Sequence, residues 1–153
     1  MNGQDFTTTF VVDQAPAAVF AAITNVRGWW SEDIEGRTDQ LGQFTYRHRD
    51  LHRCRIEVTE LRPGAAVVWR VLENYFQFTK DPAEWTGTEI RFELRSSGHQ
   101  TEVRFTHIGL VPQEECYGVC SNAWSSYING SLRALIETGR GRPNERRATE
   151  QPA

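Results

Sequence analysis

Two histidines, a few tyrosines and one arginine are the residues of this chain whose types could move a proton or orient a polar group in an apolar space. His48 closes an alternating run in which Phe44, Tyr46 and His48 share one side and Thr45, Arg47 and Arg49 the other. His107 closes a second run, with Val103, Phe105 and His107 on one side and Glu102, Arg104 and Thr106 on the other. In each run the apolar side must be buried, so parity carries both imidazoles inward. A neutral imidazole there can orient a ligand group or act as a general base, with Tyr46, Tyr127 or Arg70 supplying donors. The plainer alternative has His107 bonded to backbone at a strand end and His48 reaching solvent at the sheet rim.

The rest of the chemical inventory is short. There is no GxSxG elbow, Gly-rich phosphate loop, HExxH or EF-hand spacing. Glu57, Glu89 and Glu93 fall on the outer parity beside Arg55 and Arg91, as cross-strand surface ion pairs would. Cys116 and Cys120 stand four apart, which on a helix brings two thiolates near one metal, but no second ligand pair accompanies them. Buried thiols are expected, and neither metal nor cofactor is implied. With 20 Asp and Glu against 17 Lys and Arg, no basic field favours nucleic acid or anionic lipid. Three cysteines make no even disulfide framework. No N-terminal apolar signal segment or bilayer-spanning run is present, so a cytoplasmic protein is expected.

The elements that must hold these residues follow from periodicity. Phe6 to Val12 alternates as a first strand, and Ala15 to Val26 reads as a short helix with Pro16 in its first turn and Val19, Phe20 and Ile23 on one side. Trp29 and Trp30 follow; at least one should be buried, leaving the other to close over a pocket or cover the core edge. Strands are expected at Phe44–His48, Cys54–Thr59, Ala66–Leu72, Glu89–Leu94 and Glu102–His107, with hairpin turns at Arg62–Gly64 and Ser96–Gly98. Asn74 to Trp85 is irregular and aromatic, a loop suited to folding over an opening. From Pro112 to Pro143 one long helix is expected. At about 100° per residue, Tyr117, Cys120, Trp124, Ile128, Leu132 and Leu135 form its apolar stripe, beside a strip of Cys116, Ala123, Tyr127, Gly130 and Ala134 that leaves room beneath it. Residues 140–153, with Arg140, Arg142, Arg146 and Arg147, read as a polar, loosely held tail.

The 153 residues suit one domain. A curved antiparallel sheet followed by one long helix can bury its concave face only against that helix, an α+β arrangement with a cavity between them. The order of elements, with AAVFAAITNVRGWW, WTGTEIRFEL, TEVRFTHIGL and WSSYINGSLRALIETGRGRP, resembles the START-like superfamily (SRPBCC, helix-grip) and, within it, the branch named after the heat-shock chaperone ATPase activator. The resemblance covers most of the chain and implies the helix-grip fold and a pocket; with the elements and tail read above, the START-like domain is expected over residues 1–139, with two short helices after the first strand. It implies no single reaction, since similar chains bind lipids, hormones, polyketides or partner proteins. Nor does it carry the co-chaperone role over, because the activators have a further partner-binding domain.

The resulting expectation is a binder of a small hydrophobic or amphipathic molecule. Its contacts would come from Trp30, Phe44, Tyr46, His48 and Ile56, from Trp69, Phe76, Trp85, Phe92, Phe105 and His107, and from Cys120, Ala123, Trp124 and Tyr127 on the helix. Two other readings are an enzyme of the same fold, cyclase- or dehydratase-like on an aromatic or polyketide-like substrate with His48, His107, Tyr46 and Tyr127 as acid and base, and an interaction module with a filled core. A homodimer through an edge strand or the NYFQF segment would suit the last.

Overall fold

The computed structural model describes residues 4–145; Arg146 and Arg147 lie outside the described residues. Seven strands form one antiparallel sheet in the order β1-β7-β6-β5-β4-β3-β2: β1 Phe6–Val12, β2 Ile34–Glu35, β3 Gly42–His48, β4 His52–Arg62, β5 Ala66–Phe76, β6 Glu89–Ser97 and β7 Gln100–Ile108. Between β1 and β2 lies helix α1, Pro16–Thr24, with proline at its start where the missing N–H is unneeded, followed by a single 3-10 turn at Val26–Gly28. The sheet curls because the β4–β5 pairing slips twice, at Arg55/Ile56 and at Val58/Glu60; each extra residue bends the strand and increases its twist.

The C-terminal helix fills the resulting concavity, giving the helix-grip arrangement. It begins at Tyr117, later than the sequence suggests, because residues 112–116 form turns. It also changes pitch. An α-helical turn, α2 (Tyr117–Ser125), passes into a π-helical segment at Ser126–Leu132 and returns to α-helix in α3 (Arg133–Thr138), which Gly139 ends at φ 83°. The wider segment rotates the stripe, so Ile136 is buried where a constant 3.6-residue period places Leu135, now only partly covered.

Inward parity holds along the sheet. Phe44, Tyr46, Cys54, Ile56, Val58, Ile90, Phe92, Val103, Phe105 and His107 are all buried. Both adjacent tryptophans are buried too, and Trp29, Trp30 and Trp69 lie in near-parallel stacks against one another. Two expectations change. Arg70 is exposed, bonded to the Gly87 carbonyl at 3.1 Å and near Glu89 at 4.0 Å, so it supplies no donor inside. The first part of the expected loose tail is tied down: the Arg142 amide donates to Ser131 Oγ at 2.7 Å, and Asn144 bridges to Ser31. Polar backbone crossing a helix that already buries its face finds partners there, and Ser131 Oγ–H in turn donates to the Trp29 carbonyl at 2.7 Å.

Candidate functional site

The sheet and the C-terminal helix do not close completely at the β3–β4 end. A cavity of about 450 Å³ remains there, within the range of small-molecule sites. Trp30, Tyr46, His48 and His52 line it from the first half of the chain, Phe76 and Trp85 from β5 and the loop after it, and Cys120, Ala123, Trp124 and Tyr127 from the helix. Leu51, Phe78 and Val119 complete the lining. They are 41%, 43% and 60% exposed, so three separate elements set large apolar side chains around the mouth. Among the described residues none that lines it is Asp, Glu, Lys or Arg.

The loop of residues 77–88 forms one wall because carboxylates fasten it. Glu84 accepts the amides of Glu115 and Cys116 at the start of α2, which has no cap of its own, and Glu115 accepts the amides of Lys80 and Asp81 in return. Trp85 is thereby held against Trp124, stacked at 5.7 Å. On the opposite wall Trp30 stacks on Tyr46 at 3.8 Å, and the Tyr46 and Tyr127 hydroxyls both accept from the side-chain amide of Asn144, at 3.2 and 2.8 Å. Burial, then the neighbouring Tyr127 hydroxyl, raises the Tyr46 phenol well above its ordinary value.

His107 is wholly buried and does not line the cavity. An indole N–H can only donate, so the 3.0 Å contact from Trp124 Nε1 makes His107 Nδ1 an acceptor and leaves its proton on Nε2. That proton meets Thr88 Oγ1 at 2.8 Å, and the Thr88 hydroxyl donates to the Trp85 carbonyl at 2.6 Å. Both nitrogens are thus engaged, and burial lowers the imidazole to about 3. Phe44, Ile56, Trp69, Phe92 and Phe105 likewise belong to the packed core rather than the cavity wall. His48 is half-buried on the wall, its pKa lowered first by burial and then by Arg49.

The sequence reading passes over four wall residues, Leu51, Phe78 and Val119 at the mouth and His52 further in. His52 stands opposite His48 and Phe76 in the sheet register, is 8% exposed, and touches Phe76 and Trp85 with ring centroids 4.3 and 4.7 Å away. The β4 alternation, continued two residues before Cys54, would have found it. Asn74, buried at the end of β5, donates its amide to the Pro82 carbonyl at 3.2 Å, which turns Oδ1 toward His52 Nε2 at 2.7 Å. Burial lowers this imidazole to about 3 as well. Among the described residues no group of His, Cys, Asp and Glu is arranged to hold a metal ion. Cys54, Cys116 and Cys120 are free and buried; contact with the Cys120 thiol and then burial push the Cys116 thiol up.

A curved seven-stranded sheet closed by a C-terminal helix, with its cavity between them, defines a START-like domain. The family model of activator of Hsp90 ATPase homolog 1-like proteins matches residues 13–137, and the chain belongs to that family. Among solved structures, the Aha1 dimer from Colwellia psychrerythraea is 26% identical over 90% of this chain and 98% of its own, with a TM-score of 0.71. DynU16, from the dynemicin biosynthetic locus, is 15% identical over 94% of this chain with a TM-score of 0.67; the match spans 51% of that longer chain. A Staphylococcus saprophyticus protein is 18% identical over 92% of this chain and 98% of its own, also at 0.67. No curated protein matches the chain. Among the described residues no helix is long and apolar enough to cross a membrane.

Proposed function

We propose that the protein binds a small hydrophobic or amphipathic molecule in the cavity between α2 and the sheet. One observation carries the reading: a volume of about 450 Å³ walled almost wholly by aromatic rings and small helix residues, with an open apolar mouth. A packed interior of this aromatic content would close over such a space, since unfilled apolar volume costs dispersion contacts along its whole lining. Binding suits the site better than acid–base turnover, because the wall residue His52, held near 3, is a poor proton acceptor at neutral pH, and His107 lies outside the lining. Three free thiols fit a reducing cytoplasm. Native mass spectrometry of the purified protein, followed by titration with 2-methoxynaphthalene under intrinsic tryptophan fluorescence, tests the proposal. A retained small molecule or saturable quenching is expected, and Ala123→Trp, which fills the space from α2, should abolish it. No binding by the wild type, or equal binding by the filled variant, refutes it.

A second reading, a homodimer, is favoured by the exposed Leu51, Phe78 and Val119 around the mouth and by the dimeric Colwellia structure. Sedimentation velocity across a concentration series distinguishes it: a constant monomer mass removes it.

A further inference from the structure

Resting on the binding role proposed above, we infer the chemical class of the ligand: an uncharged, flat aromatic molecule carrying one hydroxyl or N–H, whose donor is received by His52 Nδ1. The acceptor is fixed by a chain of atoms that leaves no choice of tautomer. The Pro82 carbonyl can only accept, so the Asn74 amide nitrogen faces it and Oδ1 faces His52. Oδ1 can only accept, so the His52 proton sits on Nε2 and Nδ1 keeps its lone pair. Among the described residues no hydrogen bond reaches that lone pair, and the residue around it is more than nine-tenths buried. His52 lines the cavity, so a ligand held there is the group placed to reach Nδ1.

The surroundings set the rest of the class. With no Asp, Glu, Lys or Arg on the wall among the described residues, an ionised ligand group would lose its water and gain no counter-charge from them, which disfavours carboxylates and ammonium groups. Trp30 stacked on Tyr46 and Trp85 stacked on Trp124, the two pairs meeting where Trp30 tilts 36° against Trp124, present flat aromatic faces and edges, against which a flat ring makes more contact than a branched chain of equal volume. Cys120 and Ala123 are the small side chains that leave that space open.

Three probes test the class: 2-naphthol, its methyl ether 2-methoxynaphthalene, and the anion 2-naphthoate, each titrated at pH 7 by calorimetry. One hydrogen bond to an otherwise unpaired acceptor corresponds to about tenfold in affinity, so the wild type should bind 2-naphthol about tenfold tighter than the ether, and the naphthoate more weakly than either. In His52→Phe the naphthol-to-ether ratio should fall to within about twofold, whatever happens to the ether's own affinity. Asn74→Ala keeps the ring but frees its tautomer, and should lower the same ratio; it serves if His52→Phe does not fold. Equal wild-type affinity for naphthol and ether, tighter naphthoate binding, or a ratio unchanged in both variants overturns the inference while leaving the cavity a binding site. Binding of none of the three overturns both.

Discussion

His107 and His52 both pack against Trp85, one outside the cavity lining and one within it, and one hydrogen bond separates their surroundings. Each ring is buried, each is held near 3 chiefly by burial, and each carries its proton on Nε2 because a neighbour leaves no alternative. At His107 both nitrogens are taken up by Trp124 and Thr88, so the ring fastens the helix to β7 and the 77–88 loop. At His52 only Nε2 is taken among the described residues, and the ring lines the cavity. Burial alone therefore does not identify a binding histidine in this fold. What would distinguish one is an unfilled hydrogen-bonding position on a ring that lines a cavity.

The largest effect expected from breaking this comparison is on stability. His107→Ala removes a ring from close-packed surroundings and strands the Trp124 N–H, and should cost about 3–5 kcal/mol in urea unfolding. His52→Ala enlarges space that already exists and should cost about 1–2 kcal/mol. Equal losses would mean that the His52 wall is as much a structural tie as His107.

Acidity should affect the two alike, which sharpens the comparison from the other side. Both folded-state values lie below the ordinary 6.5, so between pH 6.5 and about 3 the unfolded chain takes up protons that the folded chain refuses. The stabilisation is present above 6.5 and is lost as pH falls through that window. Its slope should be about 1.4 kcal/mol per pH unit for each histidine. Urea midpoints measured at pH 7, 6 and 5 should fall accordingly, and either His52→Phe or His107→Phe should remove that one histidine's share of the fall, His48, also lowered, keeping its own. A variant that leaves the slope intact would show its histidine to be charged in the folded protein.

Much of this geometry is legible in the residues. Period-two alternation places Phe44, Tyr46, Ile90, Phe92, Phe105 and His107 inward because a strand has only two faces and the apolar one must be covered. Alternation says which face a side chain joins, but not whether that part of the face is filled, so Phe92 and Phe105 read like Tyr46 although only Tyr46 borders the cavity. Leu135 is misplaced because periodicity assumes constant pitch, and the π-helical segment from Ser126 breaks it. The ties at Ser131 and Asn144 join residues about a hundred positions apart, and polar side chains in a polar stretch carry no local sign of that.

The smallest effect belongs to Asn144, whose single amide holds both cavity tyrosines. Its strap passes so close to the helix that a Cβ on Gly141 would meet the Gly28 and Ser131 carbonyls, which fixes where Asn144 arrives. Asn144→Ala removes two hydrogen bonds to hydroxyls that keep each other as neighbours, so the loss should be about 1 kcal/mol. Because that amide counteracts burial at Tyr46, the variant should also raise the phenol further, delaying its ultraviolet titration relative to wild type. Tyr127→Phe removes one of the same two bonds, so the double variant should cost less than the two single losses added together. Strict additivity would place Asn144 outside the cavity wall's network and leave the strap as a fastening for the helix alone.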